Sequence, residues 1–90
     1  MVRIQDMPRL INIGFGNVVN TDKIVTVVNA DAAPVKRMIQ GVRGTNSLVD
    51  ATQGRKTKSV IFTSNGILIL SALVPETIAK RFSEAYAPEA

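Results

Sequence analysis

Ninety residues with no cysteine, no histidine and a net charge of +4 leave room for one domain and one main core. They exclude a disulfide framework and a thiolate metal site, and they remove the commonest general base and the commonest soft nucleophile. With 46% of the residues hydrophobic, so small a body has more apolar surface than it can easily hide, and association with copies of itself is expected.

In chain order, residues 1–8 read as a flexible arm punctuated by Pro8, residues 9–86 as the single domain, and residues 87–90 as a tail. Leu10, Ile11 and Ile13 predict a first short strand, broken by Gly14-Phe15-Gly16-Asn17. Residues 23–28 are dense in β-branched side chains and predict a second strand. Asn29-Ala30-Asp31 offers capping side chains, and Pro34 fits only a first helical turn. Val35, Met38, Ile39 and Val42 then follow at i, i+3, i+4 and i+7, the spacing of one buried helix face. Gly44 ends that helix, and Lys36, Arg37, Gln40 and Arg43 fall on its outward side.

Residues 48–52 and 58–63 predict two further strands, joined by Gln53-Gly54-Arg55-Lys56-Thr57 as the tip of a hairpin. Asn65-Gly66 marks a tighter hairpin into residues 67–72. The apolar run at 67–70 does not alternate, so both faces of its strand should be covered, and a neighbouring subunit is the expected cover. Pro75 opens a last helix with Ile78, Phe82 and Tyr86 as its stripe and Glu76–Lys80 as an i, i+4 pair. The order ββα-βββα makes a small α+β domain of about five strands in a mixed sheet with two helices.

The charge is uneven. Lys36, Arg37, Arg43, Arg55, Lys56 and Lys58 face one acid, Asp50, in the middle of the chain, whereas residues 1–35 balance and residues 59–90 are slightly acidic. Such a localised field draws polyanions, nucleic acid first and an anionic membrane surface second; its bland counterpart is a solvated face. The apolar runs are far shorter than the ~20 residues of a membrane span, and Arg3 and Asp6 precede no stretch of signal-peptide length. A soluble cytoplasmic protein without a membrane partner is the expectation.

Gly14-Phe15-Gly16-Asn17-Val18-Val19 has the look of a dinucleotide-binding loop, but Val19 stands where the third glycine belongs and no βαβ unit surrounds it. A strand-to-strand bend with Phe15 buried as its anchor is the better reading. The seven carboxylates are scattered without catalytic or metal-binding spacing, so neither an enzyme, a cofactor, a metal nor a small-molecule substrate is expected. Arg55-Lys56-Thr57-Lys58 is the sharper candidate, because a projecting tip carries cations toward phosphates with little backbone bulk. The four aromatics, several of them expected in the core, are few for stacking on single strands, and a duplex gripped through its backbone fits better.

Leu10-Ile11-Asn12-Ile13-Gly14-Phe15-Gly16-Asn17 departs only at Leu10 from the Phe-Ile-Asn-Ile-Gly-Phe-Gly-Asn opening of the extracellular matrix regulatory protein A (RemA) family. The segment from Ala33 to Gln40, Asp50-Ala51-Thr52, Gly54-Arg55, Ile69-Leu70-Ser71-Ala72 and Pro75-Glu76-Thr77 resemble the same family in order over about residues 9–82. The resemblance implies a bacterial, nucleoid-associated DNA-binding regulator that activates biofilm extracellular-matrix operons. It also implies a ring-shaped homo-oligomer with DNA bent around its rim. By position, the family's DNA-contacting arginines fall on Lys23, Arg55 and Lys56, of which only Arg55 keeps a guanidinium. With Lys58, Lys36, Arg37 and Arg43 these form the candidate DNA-binding set, and AT-rich or easily bent promoter DNA is the expected target. A ring-forming RNA binder is the alternative, and a purely structural oligomer with an incidental basic face a third reading.

Overall fold

The computed structural model describes residues 9–86. The arm and tail expected at 1–8 and 87–90 lie outside the described residues. Strands β1 (Leu10–Asn12) and β2 (Val18–Asn20) form an antiparallel hairpin, and a single 3-10 turn, Thr21–Lys23, leads into β3 (Ile24–Asn29). Helix α1 (Ala33–Val42), β4 (Leu48–Asp50), β5 (Ser59–Thr63), β6 (Leu68–Ser71) and α2 (Pro75–Ala85) follow. The expected α+β class is what forms, with two helices and, rather than about five strands, six among the described residues. The additional strand is β2, three residues long and cut off from β3 by the 3-10 turn.

The main sheet has the order β3-β5-β6-β4, antiparallel except for β4 against β6, which is parallel. Its central strand β5 is buried from Ser59 through Ile61, and alternation splits that burial between two clusters. Val60 joins Leu68, Leu70 and the α1 residues Val35 and Ile39 on one face. Ile61 joins Ile78 of α2 and Ile11, Ile13 and Val19 of the hairpin segment on the other. Truncating fully buried Ile61 to Ala would cost about 2–5 kcal/mol.

These layers correct the inference drawn from the apolar run at 67–70. Leu68 and Leu70 are buried against the α1 side and half-buried Ile69 packs against the α2 side, so the chain itself covers one face of β6 and much of the other. Apolar surface is left elsewhere: Leu10, Val18 and Val25 are exposed.

Local signals explain the helix ends. Pro34 and Pro75 sit in the first turns, where a missing N–H leaves no bond unmade. Gly44, with φ 81°, closes the α1 end. Asn29 does not cap α1; its Oδ1 accepts from Asp31 N at 2.8 Å and shapes the turn before the helix, whose N-cap is Ala32. Met38, expected inside, is 49% exposed, because the buried stripe narrows to Val35 and Ile39. On α2 only Ile78 is buried, and Lys80 lies 4.0 Å from Glu84.

Candidate nucleic-acid interface

Residues 51–58 are not the tip of a hairpin. β6 lies between β4 and β5, so the segment crosses over the C-terminal end of β6. Ala51 N donates to Leu70 O at 3.0 Å, and Lys58 N donates to Ser71 O at 2.9 Å, so both flanks of the crossover hang on the same strand. Between them Gln53 (φ 54°) and Gly54 (φ 78°) are left-handed, and Arg55 N closes the turn on Thr52 O at 3.0 Å. Gly54 therefore serves a turn, as its sequence position suggested, but in a crossover. Arg55, Lys56 and Lys58 are all exposed.

Asp50 pins the start of this loop. Its Oδ1 accepts from Thr52 Oγ1 at 2.6 Å and from Thr52 N at 2.9 Å. The Thr52 hydroxyl, then the Thr52 N–H, hold the Asp50 carboxyl below its ordinary range; slight burial opposes this and the Arg43 charge adds to it.

Facing the crossover is the β1–β2 turn. Ile13 N donates to Asn17 O at 2.8 Å and Asn17 N to Gly14 O at 3.0 Å. Ser71 Oγ donates to Ile13 O at 2.7 Å, tying the turn to β6. A Cβ on Gly14 would stand 3.6 Å from Leu73 Cγ, so the turn lies close over the segment after β6. The bend between strands is as expected, but Phe15 is not its buried anchor. The side chain is 52% exposed, because the left-handed backbone at 14–16 turns it away from the core. Its ring centre lies 5.9 Å from the Arg55 guanidinium.

Crossover, turn and α2 enclose an open cleft of about 670 Å³. Arg55, Lys56, Lys58 and Arg81 line it, together with Asn12 and Phe15 and with Gly14, Ala72 and Leu73. Among the described residues no carboxylate lines it, so four cations face one volume. Arg81 is the residue that sequence reasoning missed. Its Nη1 donates to Asn12 O at 2.8 Å, which holds the guanidinium at the cleft wall. The available signal was its place three residues after Ile78, on the flank of the buried stripe of α2.

The other sequence candidates are elsewhere. Lys36, Arg37 and Arg43 are exposed on and just after α1, across the sheet from the cleft. Lys23 is exposed at the end of the 3-10 turn, and its carbonyl accepts from Ser64 N at 2.8 Å beside the β5–β6 turn. That is the end of the sheet opposite the crossover. Thus three of the seven candidates converge on the cleft and four do not.

The family described as Extracellular matrix regulatory protein A-like, RemA-like, matches residues 10–82. A protein of Lachnoclostridium phytofermentans is 56% identical over 78 residues, covering 87% of this chain and 86% of its own length. One of Brevibacillus brevis is 53% identical over 75 residues, covering 83% and 87%. One of Thermotoga petrophila is 52% identical over 77 residues, covering 86% and 84%. All three carry "regulatory protein" in their names.

Proposed function

Since the chain belongs to the RemA-like family, a membership that supports a regulatory role in bacteria, we propose that it regulates transcription by binding duplex DNA. The observation that carries this reading is the convergence of Arg55, Lys56, Lys58 and Arg81 on one open cleft with no acid in its lining among the described residues. Such a cluster suits phosphate oxygens, and the salt-dependent release of counterions from the duplex supplies the affinity. The resemblance to the RemA family extends the proposal to activation of biofilm extracellular-matrix operons and to a homo-oligomeric ring whose rim bends the DNA.

The ring matters energetically. One cleft is a weak site, whereas clefts repeated around a ring act at high effective concentration. Support for self-association lies in exposed Leu10, Val18 and Val25 and in the two edges of the main sheet, β3 and β4, with which no further described strand pairs. Lys23 sits roughly one strand length from the crossover, about 17 Å for five residues. Within one copy it would meet a different stretch of duplex from the cleft.

Contrary to the expectation of a mostly buried set, Phe15, Phe82 and Tyr86 are exposed rather than in the core. Among the described residues Phe15 is the one aromatic lining the cationic cleft, while the Tyr86 hydroxyl is hydrogen-bonded to Thr21 Oγ1 at 2.5 Å and its ring carries the Arg9 guanidinium. A single aromatic does not make a stacking platform for successive bases, so duplex remains the better fit than RNA.

The test is light scattering of the protein alone and with a duplex of promoter length, beside competition by single-stranded RNA at matched salt. An assembly well above the 9.7 kDa chain that prefers duplex supports the proposal. Replacing Arg55 and Lys56 together by Ala should abolish binding and leave the mass unchanged. Binding that survives this double change, or that prefers RNA, would overturn the reading.

A further inference from the structure

Phosphate contacts leave one residue unexplained. Phe15 holds a φ of 54° between Gly14 at 114° and Gly16 at 77°. A bulky side chain in the left-handed region is strained, and glycine or asparagine is the usual occupant. Burial would compensate an aromatic placed there, yet Phe15 is 52% exposed. Nor is the turn loose. Two backbone hydrogen bonds close it, Asn17 Nδ2 donates to Gly14 O at 3.0 Å, and Ser71 anchors Ile13. Strain that the surroundings over-determine in this way is characteristic of a contact site.

The surroundings name the ligand. Arg55 stands beside the ring, and Lys56, Lys58 and Arg81 line the same cleft. Proteins that bind the minor groove combine such cations with an apolar side chain that enters a base step, unstacks it and kinks the duplex. Cations hold the phosphates while the ring replaces part of the lost stacking.

We propose that Phe15 is a wedge that enters a base step of bound duplex DNA and kinks it there, with Arg55 beside it in the groove. The inference rests on the DNA-binding reading and gives it a selectivity. Steps that unstack easily, TA and CA/TG, are favoured over stiff A-tracts at the position the ring meets.

Phe15→Gly separates this role from folding. Glycine suits the φ at position 15, so the variant should melt no lower than the parent. The experiment titrates parent, Phe15→Gly and Phe15→Leu into a duplex carrying 2-aminopurine in a central TA step, and into one with an A-tract there. The parent should raise the 2-aminopurine emission and prefer the TA duplex. Phe15→Gly should bind with the same salt slope but about tenfold more weakly, with the emission rise and the preference gone. Phe15→Leu should retain both, since leucine also serves as a wedge. A Phe15→Gly variant that keeps the emission rise, or whose assembly mass falls, would overturn the wedge while leaving DNA binding standing. A parent that binds neither duplex would overturn the DNA reading itself.

Discussion

One oxygen of Asp50 receives two hydrogen bonds from Thr52, 2.6 Å from the hydroxyl and 2.9 Å from the backbone N–H. Thr52 is buried, and its own carbonyl accepts from Arg55 N, so the pair connects the end of β4 to the first cation of the cleft. Asp50→Ala should cost about 1–3 kcal/mol of stability, the range for hydrogen bonds to a charged group that is partly solvated, and should weaken duplex binding by loosening Arg55. Asp50→Asn retains an acceptor oxygen and should recover most of the binding but only part of the stability, the remainder being the share of the charge. Urea unfolding and fluorescence anisotropy read the two effects, and equal losses in the two variants would show that charge rather than geometry is at work.

The same pair sets a pH dependence. Thr52 holds the Asp50 carboxyl below its ordinary value of 3.8, and a carboxylate with a depressed folded pKa contributes stability only while ionised. That contribution is complete above the unfolded value and is lost as pH falls from about 3.8 through the folded value. Between pH 6 and pH 5 Asp50 should therefore be silent. Below pH 4 the urea midpoint of the parent should fall faster than that of Asp50→Asn, whose side chain does not titrate.

Local chemistry in the sequence reached the helices, the β5–β6 hairpin and the cations at 55–58, because Pro34, Pro75, Asn65-Gly66 and clustered charge act within a few residues. It did not reach the path of the crossover. Gly54 supplies positive φ equally well to a hairpin or to a crossover, and the choice was made by β4 pairing in parallel with β6, some twenty residues later. Phe15 misled for a related reason: an aromatic between glycines looks like an anchor until the handedness of the turn is known. Arg81 was hidden because the C-terminal segment is slightly acidic overall, while its neighbours in space come from β1 and the crossover.

Arg81 yields the next prediction. Arg81→Gln removes the charge and keeps an N–H donor for Asn12 O, so stability should change by less than about 0.5 kcal/mol, the usual scale for surface substitutions. Losing one phosphate contact should reduce the slope of log K against log salt by about 0.9. An unchanged slope with lowered stability would make Arg81 a clip between α2 and β1 and nothing more.

The α1 cations provide the control for location. Lys36 and Arg37 lie across the sheet from the cleft, on the layer that packs over Val60, Leu68 and Leu70. Replacing both with Gln removes as much charge as the double change at Arg55 and Lys56. If the field is local, binding should weaken only a fewfold, through long-range attraction that salt screens over about 10 Å. Equal losses from the two double variants would mean that net charge, and not the cleft, holds the DNA.

The salt dependence also distinguishes one subunit from many. Each neutralised phosphate contributes about −0.9 to the slope on duplex DNA. A single cleft using Arg55, Lys56, Lys58 and Arg81 would give a slope near −3.6 by that rule, whatever the duplex length. Three clefts on one rim would give roughly −11, and the slope would steepen with duplex length until the rim is covered. Lys56→Arg should leave the slope unchanged and tighten binding where the loop meets a narrow minor groove, since the guanidinium is the more weakly hydrated cation. Titrations over several duplex lengths at 50–200 mM salt decide the matter, and a length-independent slope near that of one cleft would remove the ring from the mechanism.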